Sequence, residues 1–193
     1  MNRGSGILLH ISSLAESYGI GTFGKEAYAF ADFLKRSGQT YWQILPIGQT
    51  GYGDSPYQPF SIYAGNPYFI DLDILVTEKL IMHSDIDKLD WGNNQREVDY
   101  QKLYNNRYKV LKLAYINRNK YQQEFSKFKD ENGYWLKDYS LFMAVKEKNN
   151  SQSWLAWEDR AIRLHKPKAV DKYMKELSNE VDYYSFIQFL FYK

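Results

Sequence analysis

The sequence opens with two short apolar runs, Ile7-Leu-Leu-His-Ile-Ser-Ser13 and Tyr41-Trp-Gln-Ile-Leu-Pro-Ile47. Each run is flanked by glycine and rich in large apolar residues, which is typical of a buried strand. Between them, apolar residues recur at helical spacing from Ala27 to Leu34, and the pattern ends at Gly38. A strand, a helix and a strand with such short connections predict two parallel strands joined by a right-handed crossover, the unit of α/β barrels and doubly wound sheets.

The segment from Gly51 to Asp73 follows directly after the second predicted strand, and we call it the aromatic segment. Six aromatic residues alternate there with prolines, glycines and short polar residues, which favours a rigid loop of flat faces beside hydrogen-bonding groups. Ligand sites in α/β folds form at the carboxyl ends of parallel strands. Composition and position therefore both predict a surface suited to sugar rings.

Beyond Asp73 the sequence predicts a mainly helical chain. Apolar residues recur three and four positions apart from Tyr100 to Phe128, which predicts one long amphipathic helix with a polar outer face. The other predicted elements are a short helical or extended stretch at 75–81, a helix at 135–148, a loop at 151–157 that packs on the helices, and a last helix that begins near Lys168 or Val181 and runs through Phe191.

Composition excludes several classes of partner. The net charge of +2 gives no electrostatic reason to expect nucleic acid, and the basic residues at 109–129 fall opposite an apolar stripe, as on a solvated helix. With no cysteine in the sequence, disulfides and thiolate metal sites are excluded. The N-terminus lacks the apolar run of a signal peptide, and no segment approaches the roughly 18 apolar residues of a membrane span. We therefore expect a cytoplasmic protein with neither a nucleic-acid nor a membrane partner.

The sequence gives little sign of a cofactor or metal. Gly19-x-Gly21-x-x-Gly24 has the spacing of a dinucleotide-binding motif, but it begins several residues after its strand and lacks the acidic residue that closes the next strand. These glycines are better interpreted as shaping a loop, and we expect no cofactor. The three histidines are far apart in sequence, so we expect no metal site. His10 is predicted to be a hydrogen-bonded histidine of the core or of a site wall.

The acidic residues of the aromatic segment do not form a catalytic pair in sequence. Cleavage of a glycosidic bond with retention needs two carboxyl groups about 5 Å apart. Asp71 and Asp73 are two residues apart and are better interpreted as a cap or an anchor of the loop. Asp54 precedes Ser55 and Pro56, so it is either a turn initiator or an acceptor for a sugar hydroxyl. The sequence leaves both roles of Asp54 open.

Several motifs of the chain together are similar to those of one enzyme family. They are Ser5-Gly-Ile-Leu-Leu-His-Ile-Ser-Ser-Leu14, Tyr18-Gly-Ile-Gly-Thr-Phe-Gly24, Trp42-Gln-Ile-Leu-Pro-Ile-Gly48, Gly53-Asp-Ser-Pro-Tyr-Gln58, Gly65-Asn-Pro67, Asp138-Tyr-Ser-Leu-Phe-Met-Ala-Val-Lys146 and Tyr184-Ser-Phe-Ile-Gln-Phe-Leu-Phe191. They resemble the 4-α-glucanotransferase family, the amylomaltase or disproportionating-enzyme group of the α-amylase clan. The resemblance covers the whole chain and matches the N-terminal part of the family.

The fold that this resemblance implies is α/β, the N-terminal part of a (β/α)8 TIM barrel with an inserted mainly helical subdomain. We expect residues 1–75 to supply the first strands, helix and substrate loop of the barrel, and residues 76–193 to form the helical subdomain and the start of the return to the barrel. A complete barrel needs about 250 residues, and the last predicted helix is still apolar near Lys193 without a stop signal. We therefore expect a partial chain.

The activity that the resemblance implies is transfer of α-1,4-glucan segments between maltooligosaccharides, with glucose as an acceptor, by a retaining double displacement without a cofactor. In the family an Asp nucleophile, a Glu acid and base, and a second Asp follow later strands. We therefore expect no catalytic residue among these 193 and no activity of the chain by itself.

The same resemblance implies a set of substrate-binding residues. Tyr57 would face the sugar next to the cleaved bond, with Ser55 as a nearby hydroxyl contact. Asp54 is added to the substrate-binding residues as the candidate hydroxyl acceptor described above. Tyr52 matches an aromatic residue of a second, remote glucan-binding site, and Tyr100 is its expected partner. Two alternatives are a non-catalytic glucan-binding module that uses the same segment and an interaction module that holds a partner through its basic helices.

Overall fold

A computed structural model of the chain describes residues 3–51, 53–94 and 96–193. These residues form two compact units, one that ends at Lys120 and one that covers Tyr121–Lys193. The strands are β1 (Gly6–Leu8) and β2 (Tyr41–Gln43), and the helices are α1 (Lys25–Arg36), α2 (Leu72–Thr77), α3 (His83–Ile86), α4 (Tyr100–Ile116), α5 (Gln122–Glu131), α6 (Gly133–Lys148), α7 (Arg160–Arg163), α8 (Pro167–Glu176) and α9 (Ser178–Tyr192). The compact units divide after Lys120. This division does not test the expected domain boundary after residue 75, which stays a prediction.

The predicted strand–helix–strand unit is present, but its strands are short and poorly covered. β1 and β2 pair in parallel, with Gly6 opposite Tyr41, and α1 connects them. Residues 11–13 form a 3-10 turn instead of continuing β1. Leu8 is 58% exposed and Tyr41 is 65% exposed, so the prediction of two buried strands is wrong. Among the described residues β1 and β2 pair only with each other, and the face that carries Ile7 and Trp42 is half-buried, with the Trp42 ring 4.9 Å from that of Phe30 on α1.

Asp71 joins the starts of two helices, as its interpretation as a cap predicted. Its Oδ1 accepts a hydrogen bond from Ile74 N at the start of α2 at 2.8 Å, and its Oδ2 accepts one from Thr22 Oγ1 at 2.9 Å. A Cβ on Gly24, the residue before α1, would lie 1.6 Å from Asp71 Oδ2. The carboxylate therefore also lies against the positive end of the α1 dipole.

The glycines of the Gly19–Gly24 motif shape this loop, which agrees with the second interpretation of the motif. Gly19 has a φ of +82°, in the left-handed region, and a Cβ on Gly21 would lie 2.0 Å from Ile11 O. A side chain at either position would strain the backbone or collide with it. The spacing of these glycines therefore needs no nucleotide to explain it.

The long helix predicted from Tyr100 to Phe128 is broken in two. α4 ends at Ile116, a 3-10 turn covers Arg118–Tyr121, and α5 then begins. Asn117 caps α4, and its side-chain amide donates to Leu80 O at 2.8 Å. This contact fixes the end of α4 against Leu80 within the first unit, which ends shortly afterwards at Lys120. The prediction of one continuous helix is therefore wrong.

The core of the second unit is built around α6 and α9. Ser185 Oγ donates to Ser140 Oγ at 2.9 Å, and both side chains are buried. These small residues let the two helices approach closely, and Phe186 packs beside them against Phe125 at 5.3 Å. The loop predicted at 151–157 does pack on the helices, because the buried ring of Trp157 lies 5.6 Å from that of Phe142.

Candidate functional site

The aromatic segment begins in a loop whose two ends are held together, which we call the pinned loop (residues 48–65). Gly48 and Gly65 form an isolated antiparallel bridge, and Asn66 N donates to Ile47 O at 2.9 Å. The buried Asn66 side chain also accepts from Tyr68 N at 3.0 Å, which starts the following 3-10 turn. A loop closed at its base can hold its outer residues in a fixed position without burying them.

The tip of the pinned loop presents Ser55 and Tyr57 from one tight turn. Gln58 N donates to Ser55 O at 3.3 Å, and Tyr57 N donates to Ser55 Oγ at 3.4 Å. The Tyr57 side chain is 69% exposed. The structure therefore brings Ser55 and Tyr57 together, with the aromatic ring in solvent.

Asp54 has the turn role that the sequence allowed. Its φ of +52° lies in the left-handed region, its backbone N donates to Gly51 O at 3.1 Å, and its Oδ1 accepts from Thr50 Oγ1 at 3.5 Å. Burial raises the pKa of the Asp54 carboxyl above its ordinary value. Its role as an acceptor for a sugar hydroxyl stays a prediction.

A cluster of tyrosines from α4 lies beside the pinned loop. Tyr100, Tyr104 and Tyr108 are four residues apart on one face of α4. The Tyr68 ring lies 6.4 Å from that of Tyr100 and 6.2 Å from that of Tyr108. Burial raises the pKa of Tyr68 and of Tyr100, and in both cases the Asp54 carboxylate adds to the rise. The structure therefore brings Asp54 and Tyr100 near each other.

Tyr52 lies outside the described residues, so its predicted partnership with Tyr100 stays a prediction. Sequence reasoning missed Tyr68, Tyr104 and Tyr108 as neighbours of Tyr100. The spacing of the three α4 tyrosines was a visible signal, since residues four apart share a helix face.

A second polar cluster, also missed from the sequence, lies where the aromatic segment ends. Thr22 Oγ1 lies 3.3 Å from Glu16 Oε1 as well as near Asp71. Burial raises the pKa of Glu16 from its ordinary 4.5 to about 7, and the Asp71 carboxylate adds to the rise. Arg107 is fully buried and donates to Ile70 O at 3.1 Å. Burial lowers the pKa of Arg107 to about 10, while the carboxylates of Asp71 and Glu16 act to raise it. The guanidinium therefore stays charged at neutral pH.

His10 is a hydrogen-bonded histidine, as the sequence predicted. Its Nδ1 accepts from Leu45 N at 3.2 Å, and its ring meets the Phe69 ring edge-on at 5.4 Å. Burial lowers the pKa of His10, so the imidazole is neutral at pH 7.

Within residues 3–51, 53–94 and 96–193, no group of three or more histidines and carboxylates is placed to hold a metal ion. The helices of the described ranges are all too short or too polar to cross a membrane.

Comparison with known sequences identifies one family over almost the whole chain. The family described as 4-alpha-glucanotransferase matches residues 9–193. A 4-alpha-glucanotransferase of Clostridium butyricum is 51% identical over 185 residues, which cover 95% of this chain and 38% of that protein. One of Thermus thermophilus is 41% identical, over 99% of this chain and again 38% of the relative. The chain thus spans well under half the length of the curated relatives it matches.

Comparison with solved structures agrees. Amylomaltase from Streptococcus agalactiae in complex with acarbose superimposes with a TM-score of 0.94 at 41% identity, over 99% of this chain and 39% of that one. Amylomaltase from Corynebacterium glutamicum has a TM-score of 0.65 at 20% identity, which shows a likeness of fold alone. Since the family match extends over residues 9–193 and the relatives reach 51% identity, the chain belongs to the 4-α-glucanotransferase family, as its motifs indicated.

Proposed function

We propose that this chain forms part of a 4-α-glucanotransferase that moves α-1,4-glucan segments between maltooligosaccharides, with glucose as an acceptor, by a retaining double displacement. Family membership and the likeness to an amylomaltase that holds acarbose support the activity and the substrate class. The parallel β1–α1–β2 unit supports its place in a TIM barrel. The chain would supply walls of the glucan site, the catalytic carboxylates would come from outside these residues, no cofactor would be needed, and we expect the protein to work in the cytoplasm.

The exposed Tyr57 ring on the pinned loop is the observation that carries this proposal. A flat aromatic face that lies in solvent, on a loop that is closed at its base, suits stacking against a sugar ring. The negative face of an aromatic ring also stabilises positive charge that develops on the sugar, and the ring excludes water, which favours transfer over hydrolysis.

Ser55 and Asp54 extend this surface with hydrogen-bonding groups. Ser55 Oγ accepts from Tyr57 N, an interaction that uses a lone pair and leaves the hydroxyl proton for donation to a sugar oxygen. The Asp54 carboxylate lies close enough to the phenols of Tyr68 and Tyr100 to raise the pKa of both. We infer that Asp54 accepts from a sugar hydroxyl, and that Tyr100 together with Tyr52 forms a second glucan contact.

Transfer kinetics of the full-length protein test the proposal. Tyr57→Ala should lower the rate of maltotriose disproportionation roughly 30-fold, because a desolvated contact between a ring and a cationic centre is worth about 2 kcal/mol. Tyr28→Ala is the matched control, since the Tyr28 ring is similarly exposed, at 71%, but lies on α1. An unchanged rate in Tyr57→Ala would refute the role of this ring. If the protein binds maltooligosaccharide without disproportionating it, the chain belongs to a glucan-binding module instead.

A further inference from the structure

Two neighbouring residues of α4 contact the chain at the start of the pinned loop and shortly after its end. Before the tip, Gln49 Nε2 donates to Tyr108 Oη at 2.8 Å. After the loop, Arg107 Nη1 donates to Ile70 O at 3.1 Å. Both contacts link segments far apart in sequence, and both end on the same turn of α4. That helix therefore spans the base of the loop.

Burial makes these contacts hard to replace with solvent. Gln49 is 6% exposed and Arg107 is 0% exposed. A buried amide or guanidinium that loses its partner keeps the full cost of its desolvation. The Tyr108 ring also packs edge-on against the buried Tyr68 ring, so this one residue contacts both the start of the loop and the chain after it.

The charge of Arg107 is compensated by groups that lie near its guanidinium. Its Nε and Nη2 have no direct hydrogen-bond partner within the described ranges. The Asp71 carboxylate favours the charged guanidinium electrostatically, Glu16 adds to this effect only when it is ionised, and the Trp91 ring lies 5.5 Å from the guanidinium carbon. A buried cation keeps this compensation only where it lies, because a shift away from the Asp71 carboxylate would leave its charge uncompensated.

We propose that Arg107 and Tyr108 are positioning residues that hold the start of the pinned loop and the chain just after its end on α4, and thereby fix the placement of Tyr57. The effect on glucan transfer rests on the function proposed above, whereas the effect on the loop itself does not. α4 suits this role because it is capped at both ends, by Asp99 at its start and by Asn117 at its end, and a capped helix is a rigid support.

Hydrogen exchange of the full-length protein tests the positioning role directly. Tyr108→Phe keeps the ring and removes only the phenol oxygen, so the fold should survive. Peptides that contain Asp54, Gln58 and Asn66 report on the loop, because the backbone N–H of each donates within the loop or across its base. We expect their exchange to become roughly 2- to 10-fold faster, the equivalent of one lost hydrogen bond. Tyr115→Phe is the control, since Tyr115 is a buried tyrosine of α4 at a distance from the loop.

A double variant separates positioning from a general loss of stability. If Gln49 acts through Tyr108, then Gln49→Ala combined with Tyr108→Phe should accelerate loop exchange no more than Gln49→Ala alone. Unchanged loop exchange in Tyr108→Phe, or equal acceleration throughout the protein, would overturn the proposal. Because exchange is measured without glucan, this outcome is independent of the Tyr57→Ala kinetics, which decide the proposed function.

Discussion

Glu16→Gln should stabilise the protein at pH 8 and leave its stability unchanged at pH 4. In the folded protein the pKa of Glu16 is raised from 4.5 to about 7, first by burial and then by Asp71. Below pH 4.5 the carboxyl is protonated in both the folded and the unfolded state and costs nothing. Between pH 4.5 and 7 the unfolded chain loses this proton while the folded protein keeps it, so the stability falls over that window and levels off above pH 7, where both states are ionised.

The structure shows why the neutral form is preferred. The Thr22 hydroxyl lies within hydrogen-bond distance of both Asp71 and Glu16, but it has one proton to donate. A protonated Glu16 can donate to Thr22 while Thr22 donates to Asp71, whereas two ionised carboxylates compete for the one proton. The shift corresponds to about 3 kcal/mol at full weight. Because Glu16 is only half-buried, solvent screening reduces the expected cost above pH 7 to about 1–2 kcal/mol.

The assay is thermal unfolding of the full-length protein at several pH values from 4 to 8. The melting temperature of Glu16→Gln should exceed that of the parent by about 1–2 °C at pH 8, and the difference should vanish towards pH 4. Glu97→Gln is the control, since Glu97 is an exposed glutamate of the same unit. The reasoning is wrong if the difference is the same at pH 4 and pH 8, or if Glu16→Gln is the less stable protein at pH 8.

Two further outcomes follow from the first unit. Gly24→Ala should reduce the free energy of unfolding by about 1–3 kcal/mol and so lower the melting temperature. The reason is that the new Cβ would lie 1.6 Å from Asp71 Oδ2. An unchanged melting temperature would show that the two helix starts can separate freely. Tyr100→Ala should change the size distribution of the glucan products more than the initial rate, as measured by chromatography of the products; identical distributions for variant and parent would remove Tyr100 from the glucan site.

Local patterns predicted the elements of this fold well and their lengths poorly. The parallel pairing of β1 and β2 follows from two apolar runs and a short helical connection, all visible within the first 47 residues. The exposure of these two strands could not be predicted in the same way, because burial of a strand depends on what covers it. The break after α4 was hidden for a similar reason, since apolar spacing continues past Asn117 and the helix ends where that side chain meets Leu80.

The sequence marked the segment that we propose as the glucan site, whereas the contacts that hold this segment could not be predicted. Prolines, glycines and aromatic rings mark the aromatic segment in the sequence, and the Tyr57 ring is exposed as a binding residue requires. The bond from Gln49 to Tyr108 joins residues 59 positions apart, and no local pattern connects them. The raised pKa of Glu16 likewise needs Asp71, which only the fold brings near.

The central place of α9 in the second unit affects how that unit can form during translation. α5 and α6 leave the ribosome first, and their apolar faces pack against α9, whose Phe186 and Ile187 are fully buried. At about 5–20 residues per second, synthesis from Lys148 to Tyr192 takes a few seconds. During that interval the nascent helices expose apolar surface that α9 covers in the folded unit. The second unit therefore completes its core late, and a chaperone that binds exposed apolar helices has time to act before α9 arrives.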